Sequence, residues 1–149
     1  MISMDIQALL KTTGLSQAEA AGLFGLGNSE IPALTQELAK LDAKIEMSVI
    51  AEIDIFTSRA ERDVILIRFI SEYDFALYEQ ELFEHFKCCS VHRAFIARSQ
   101  RAIERIGGDV TIVFMESNVY ETWLSVNDFD DTRDLRIAWA RQQIRGLSN

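Results

Sequence analysis

The chain has 149 residues, 48% of them hydrophobic, with a net charge of −8, which suffices for one packed core or for a small head joined to a helical body. One proline, seven glycines and no Ser/Gly/Pro-rich tract exclude a flexible linker, and the acidic balance repels a phosphate backbone unless positive charge gathers locally. No apolar run approaches the ~18 residues of a membrane span and the N-terminus lacks the basic and apolar parts of a signal peptide, so the expected setting is cytoplasmic, with no membrane.

Asp5 to Leu26, DIQALLKTTGLSQAEAAGLFGL, has the cadence of a repressor-type helix-turn-helix: a short first helix, a Gly turn, Leu-Ser-Gln and a small-residue second helix. Ser16-Gln-Ala-Glu19 is a capping box that opens the second helix. Gly22, Gly25 and Gly27 end it quickly, since glycine costs roughly 1 kcal/mol in a helix interior. A basic recognition helix should follow. The chain instead offers Gly27, Asn28, Ser29, Glu30, Ile31 and Pro32, and the next helix start falls at Ser29, with Pro32 tolerated in its first turn.

Ile31, Leu34, Leu38, Leu41, Ile45 and Val49 then recur at three- and four-residue steps and predict one long helix to about Phe56. Ser58-Arg-Ala-Glu61 reads as a second capping box after a break near Thr57. The run Val64 to Ile70 is ambiguous: its β-branched residues suit a buried strand, whereas the preceding box favours a buried helix, and helix is the expected reading. Asp74 to about Ile106 reads as helix throughout, ended by Gly107-Gly108. Val110 to Phe114 is the one convincing strand. A short helix over Val119 to Val126, an acidic loop over Asn127 to Asp131 and a last helix from Thr132 complete the chain, with Trp139 expected in the core. The expected fold is therefore mostly α, with a helix-turn-helix head in residues 1–30 and a helical, dimerising body in residues 31–149 that carries a single short strand and C-terminal helices.

With this N-terminal pattern, the tail RIGGDVTIVF…YETWLSVNDFDDTRDLRIAWARQQ resembles the YdiL-like family of bacterial helix-turn-helix proteins, which includes relatives that accompany anti-CRISPR genes. The order carries the resemblance: a repressor-type head, an Ile31-Pro32 helix start, a long helix, a turn like Arg105-Ile106-Gly107, one strand and a terminal helix with a tryptophan like Trp139. About half of the chain is covered. The resemblance implies a transcriptional regulator that binds DNA as a homodimer. Two departures stand against it: the segment between the second helix and Ile31-Pro32, where the family holds its recognition helix, is much shorter, and residues 50–90 look like an insertion.

By position, Ser16, Gln17, Asn28 and Ser29 are the candidate DNA contacts, and the bland reading of the first two is a helix cap beside an exposed first-turn residue. Residues 1–44 hold Lys11, Lys40 and Lys44 against Asp5, Glu19, Glu30, Glu37 and Asp42, so the head is itself acidic. The cationic stretch lies at Lys87 to Arg105. There Arg98, Arg101 and Arg105 share a helix face, as an anion-contact stripe or, as the net charge favours, as partners of the surplus acids Glu79, Glu81 and Glu84 or of the Asp128, Asp130 and Asp131 loop, within the subunit or across a dimer. His85, Cys88, Cys89 and His92 fall on one arc if residues 85–92 are a single helix. As a pair at i and i+4 they offer two ligands to Zn²⁺, with a twofold-related copy supplying the rest. The bland and preferred reading has the thiols packing as small hydrophobes, and adjacent cysteines build no disulfide framework.

No phosphate-binding Gly loop, nucleophile elbow or catalytic acid pair is legible, so neither an enzyme nor a cofactor is expected. The expected partners are a second copy of the chain and double-stranded DNA. The alternative is an interaction module on the same scaffold that meets another protein and has lost direct DNA reading.

Overall fold

The computed structural model describes residues 5–147, which form eight helices and a two-stranded parallel sheet. Helix α1 (Ile6–Thr13) opens on Asp5, whose carboxylate accepts from the Gln7 N–H, and closes on Gly14 in the left-handed region. Glycine is required there: a Cβ would stand 2.7 Å from the Ser90 carbonyl oxygen. Helix α2 (Gln17–Phe24) opens on the expected capping box, with the Ser16 hydroxyl accepting from Glu19 N–H and the Glu19 carboxylate from Ser16 N–H, each at 3.1 Å.

Helix α3 (Ile31–Thr57) is the predicted long helix, and Leu34, Leu38, Leu41, Ile45, Val49 and Phe56 are its buried stripe. It starts at Ile31, two residues after the expected Ser29, with Pro32 in its first turn, where a missing N–H has no helical partner to lose. Helices α1, α2 and α6 (Cys89–Arg105) all pack on it, so α3 is shared between head and body. The buried apolar residues of the two parts form one continuous cluster, from Leu9 and Ala20 to Tyr120 and Trp139.

The ambiguous run is strand β1 (Asp63–Phe69), which corrects the helix reading and replaces the expected single strand with a pair. The second capping box does not form. Ser58 is the αR residue that ends α3, and its hydroxyl donates backward to the Ile55 carbonyl at 2.8 Å. Without that start signal the β-branched residues decide, and β1 runs parallel to β2 (Asp109–Met115) from Asp63 opposite Asp109 to Phe69 opposite Met115. Helices α6 and α8 (Arg133–Leu147) both pack on the sheet, which explains why Val64 to Ile67 of β1 are apolar without alternation. Parallel strands need a long crossover, supplied here by residues 70–108.

That crossover is three helices, where the sequence predicted one: α4 (Glu72–Tyr78), α5 (Gln80–Phe86) and α6. The breaks lie at Glu79 (φ −128°, ψ 62°) and at Lys87, a non-glycine residue at φ 70° that caps α5. Breaking the chain there lets Phe75 of α4 and His92 of α6 converge on Phe69, ring centroids 6.0 and 5.6 Å away. A periodicity of apolar residues looks the same in one straight helix and in three short ones, so the turns are invisible to it. Glu72 accepts the Cys89 N–H at 3.0–3.1 Å, satisfying the start of α6 that Cys88 leaves uncapped. Helix α7 (Ser117–Asn127) and α8 close the core through Tyr120 and Trp139, both buried as the sequence led one to expect of Trp139.

Candidate functional site

Helices α1, α2 and the first turns of α3 make the head in which DNA contacts were expected. Among the described residues no separate recognition helix stands between Phe24 and Ile31. After Gly25, left-handed at φ 67°, the chain turns through residues 26–30 and α3 itself follows. This remains a helix, turn and helix in succession, but the second member is the body's central helix.

Of the four expected contact residues, Ser16 and Gln17 are occupied within the fold. Ser16 and Glu19 cap each other, and Glu19 also accepts a hydrogen bond from the Ser90 hydroxyl of α6 at 3.2 Å, which ties the head to the body. The Ser16 bonds, backbone first, hold the Glu19 carboxyl below its usual range, so it keeps its charge where a phosphate would approach. Gln17 is half-buried and its amide donates to the Asn28 carbonyl at 2.7 Å, bracing the turn against α2. Asn28 and Ser29 are exposed. Glu30, also exposed, folds its carboxylate back onto the Gly27 N–H. The side chains presented at the start of α3 therefore include an acid and no base.

The arginine stripe divides. Arg98 sits inside, donating to Asp42 at 2.7 Å and Glu46 at 2.6 Å on α3 and to the Thr12 carbonyl at 3.3 Å. Its side chain is only 16% exposed, so this guanidinium is not free to meet a phosphate. The expectation that the stripe would pair is met at Arg98, though its partners are on α3 and not in the acid-rich segments near Glu79 or Asp128 to Asp131. Arg101 and Arg105, one and two turns further along α6, are exposed.

The His/Cys set does not share a helix arc, which corrects the geometry assumed for a metal pair. His85 lies in the last turn of α5, Lys87 breaks the chain, Cys88 precedes α6 without capping it, and Cys89 and His92 belong to α6 itself. His92 is buried against Phe75, ring centroids 4.5 Å apart, and desolvation followed by the nearby Arg68 charge pushes its pKa down to about 4. Burial, then Glu72, pushes the Cys89 thiol up to about 11, and burial also raises Cys88. Among the described residues no group of three or more His, Cys, Asp or Glu side chains is placed to hold a metal ion.

Sequence reasoning missed a buried ionic node. Arg136 of α8, 7% exposed, reaches Asp131 at 2.7 Å and Glu79 at 3.6 Å, while the Tyr120 hydroxyl donates to Asp131. The available signal was an arginine set in the apolar stretch Leu135 to Ala140. Nothing local, however, names a partner 57 residues away, Glu79, nor the 81-residue separation of Arg133 and Glu52, joined at 2.6 Å. No helix among the described residues is long and apolar enough to cross a membrane.

No family model and no curated protein matches the chain.

Proposed function

We propose that the chain is a protein-interaction module built on a helix-turn-helix-type scaffold, working as a homodimer through its helical body. The observation that carries this reading is the charge of the head. Where a recognition helix would begin, the exposed side chains are those of Asn28, Ser29, Glu30, Ile31 and Pro32, an acid among them and no base; on α6, Arg98 is held by two carboxylates and the exposed Arg93 lies near enough to Glu19 to help lower its pKa. Binding to DNA draws its affinity largely from cations set against phosphates, and its sequence preference from donors and acceptors aimed at base edges. This surface is poor in both.

A second reading, a DNA-binding transcriptional regulator, is favoured by the direct succession of a capped α2, a glycine turn and α3. Selection from a pool of random duplexes at low salt separates the two. The interaction reading expects no enriched sequence. A symmetric site with half-sites about one DNA turn apart, bound with an affinity that falls steeply as salt rises, would replace it with the regulator reading.

A further inference from the structure

The Asp109 N–H donates to the Arg62 carbonyl at 2.9 Å, and the register runs unbroken from Asp63 opposite Asp109 to Phe69 opposite Met115. Residues along a parallel strand turn their backbone groups alternately to either side. Asp109, Thr111, Val113 and Met115 therefore bond to β1, while Val110, Ile112 and Phe114 direct N–H and C=O outward. Among the described residues no backbone group outside the sheet meets those three.

The two outer edges of the sheet differ. Beside β1 the hollows are small, about 120 and 40 Å³, and Glu52 and Ile55 of α3, Leu82 of α5 and Ile137 of α8 line them with Ile65 and Ile67. The outer edge of β2 opens into a groove of about 470 Å³ that follows residues 111–114 between Val119 of α7 and Gln143 of α8. Phe114 is 54% exposed in it. Native edge strands are usually blunted by a charge, a proline or a bulge. From Val110 to Met115 β2 has none of these.

We propose that this edge is taken by β2 of a second copy, paired antiparallel about a twofold axis at Ile112 and joining the two sheets into one. In this register Val110 opposes Phe114 of the partner subunit, Ile112 opposes its own copy, and each of the outward-facing residues exchanges both backbone bonds with its opposite number. Thr111 opposes the partner's Val113. An aromatic set against a β-branched residue is a favourable cross-strand pair. Shifting the axis to Thr111 or Val113 would carry Phe114 or Val110 past the end of the opposing strand.

Charge agrees with self-pairing. The flanking acids do not meet, because Asp109 lies opposite the partner's Met115 and Glu116 opposite the partner's Gly108. Arg145 is exposed beside the hollow at the start of β2. An antiparallel pair lays the end of one β2 on the start of the other, so Glu116 of each copy approaches Arg145 of the partner subunit. Two copies of net charge −8 repel at long range, and this approach at both ends offsets that repulsion locally.

The inference rests on the reading of the chain as a module that works through protein contacts, and the two can fail separately. Analytical ultracentrifugation of the full chain should give twice 16.9 kDa. Phe114→Glu sets a charge in the seam, and Ile112→Pro removes the outward N–H at the axis without touching a bond to β1. Both should sediment as monomers with unchanged circular dichroism. In the wild type, amide exchange at Val110, Ile112 and Phe114 should accelerate at least tenfold on dilution below the dimer's dissociation constant, a readout that needs no variant. A wild type that stays monomeric at high micromolar concentration overturns the proposal, as do folded variants that remain dimeric, or a dimer whose three amides exchange fast. Enrichment of a DNA site would instead strike the interaction reading and leave this dimer standing.

Discussion

Replacing Arg98 with methionine keeps most of the side chain's volume and removes its guanidinium. The side chains of Arg98 and Asp42 are 16% and 23% exposed, whereas Glu46 is 55% exposed. The Asp42 arm is a charge-assisted hydrogen bond largely out of water, worth about 1–3 kcal/mol and costly to leave half-made. The Glu46 arm is a surface pair worth roughly 0.2–1 kcal/mol. Arg98→Met should therefore destabilise the fold by about 2–3 kcal/mol, or roughly 4–12 °C in Tm for a chain of this size. Urea unfolding of Arg98→Met, Asp42→Asn, Glu46→Gln and the two doubles would separate the arms. The Asp42 coupling should persist in high salt and the Glu46 coupling should fade. A loss under about 0.5 kcal/mol, or no coupling to Asp42, would refute the claim that Arg98 is a structural cation and return it to the pool available to an anion.

His92 is neutral in the fold with a pKa of about 4, below its ordinary 6.5, so the unfolded chain binds the extra proton between those values. The stability that this carries is complete above about pH 6.5 and is lost as pH falls toward 4, by at most roughly 3 kcal/mol. His92→Phe should flatten that part of the wild-type profile in chemical denaturation. Gly14→Ala should destabilise by about 2 kcal/mol or more, through its positive φ and the Ser90 carbonyl, while Gly22→Ala, with open space at its Cβ, should be stabilising by roughly 0.5–1 kcal/mol; thermal melts distinguish them. With both thiols raised above their usual range, alkylation of Cys88 and Cys89 at pH 7.5 should run well below the rate of a free thiol and rise to it in urea, followed by mass spectrometry.

Local signals are legible in the sequence where local physics decides. The Ser16 box, the Gly14 and Gly25 turns and the stripe of α3 all stand in the structure, because a cap, a left-handed glycine and a three-to-four-residue repeat act within a few residues of themselves. The Ser58 box shows the limit: the pattern was present, but residues 63–69 found a partner strand 46 positions away and the helix start was overruled. The breaks at Glu79 and Lys87 were hidden for a related reason, since the aromatic cluster around Phe69 sets the angle of the chain and no glycine or proline marks it. The candidate site followed the same division. The acidic character of the head was legible by counting residues, but the use of Gln17 to brace the turn and the capture of Arg98 by α3 were not, because their partners are distant in sequence or lie on the backbone.

The central claim is that the face of α2 and the start of α3 does not read DNA. Amide chemical shifts of the ¹⁵N-labelled chain, followed as a pool of short duplexes is added at low salt, test it most directly. The account predicts no saturable shifts in residues 16–36. Shifts confined to Ser16, Gln17, Asn28 and Ser29 and the first turn of α3, reversed by salt, would contradict it.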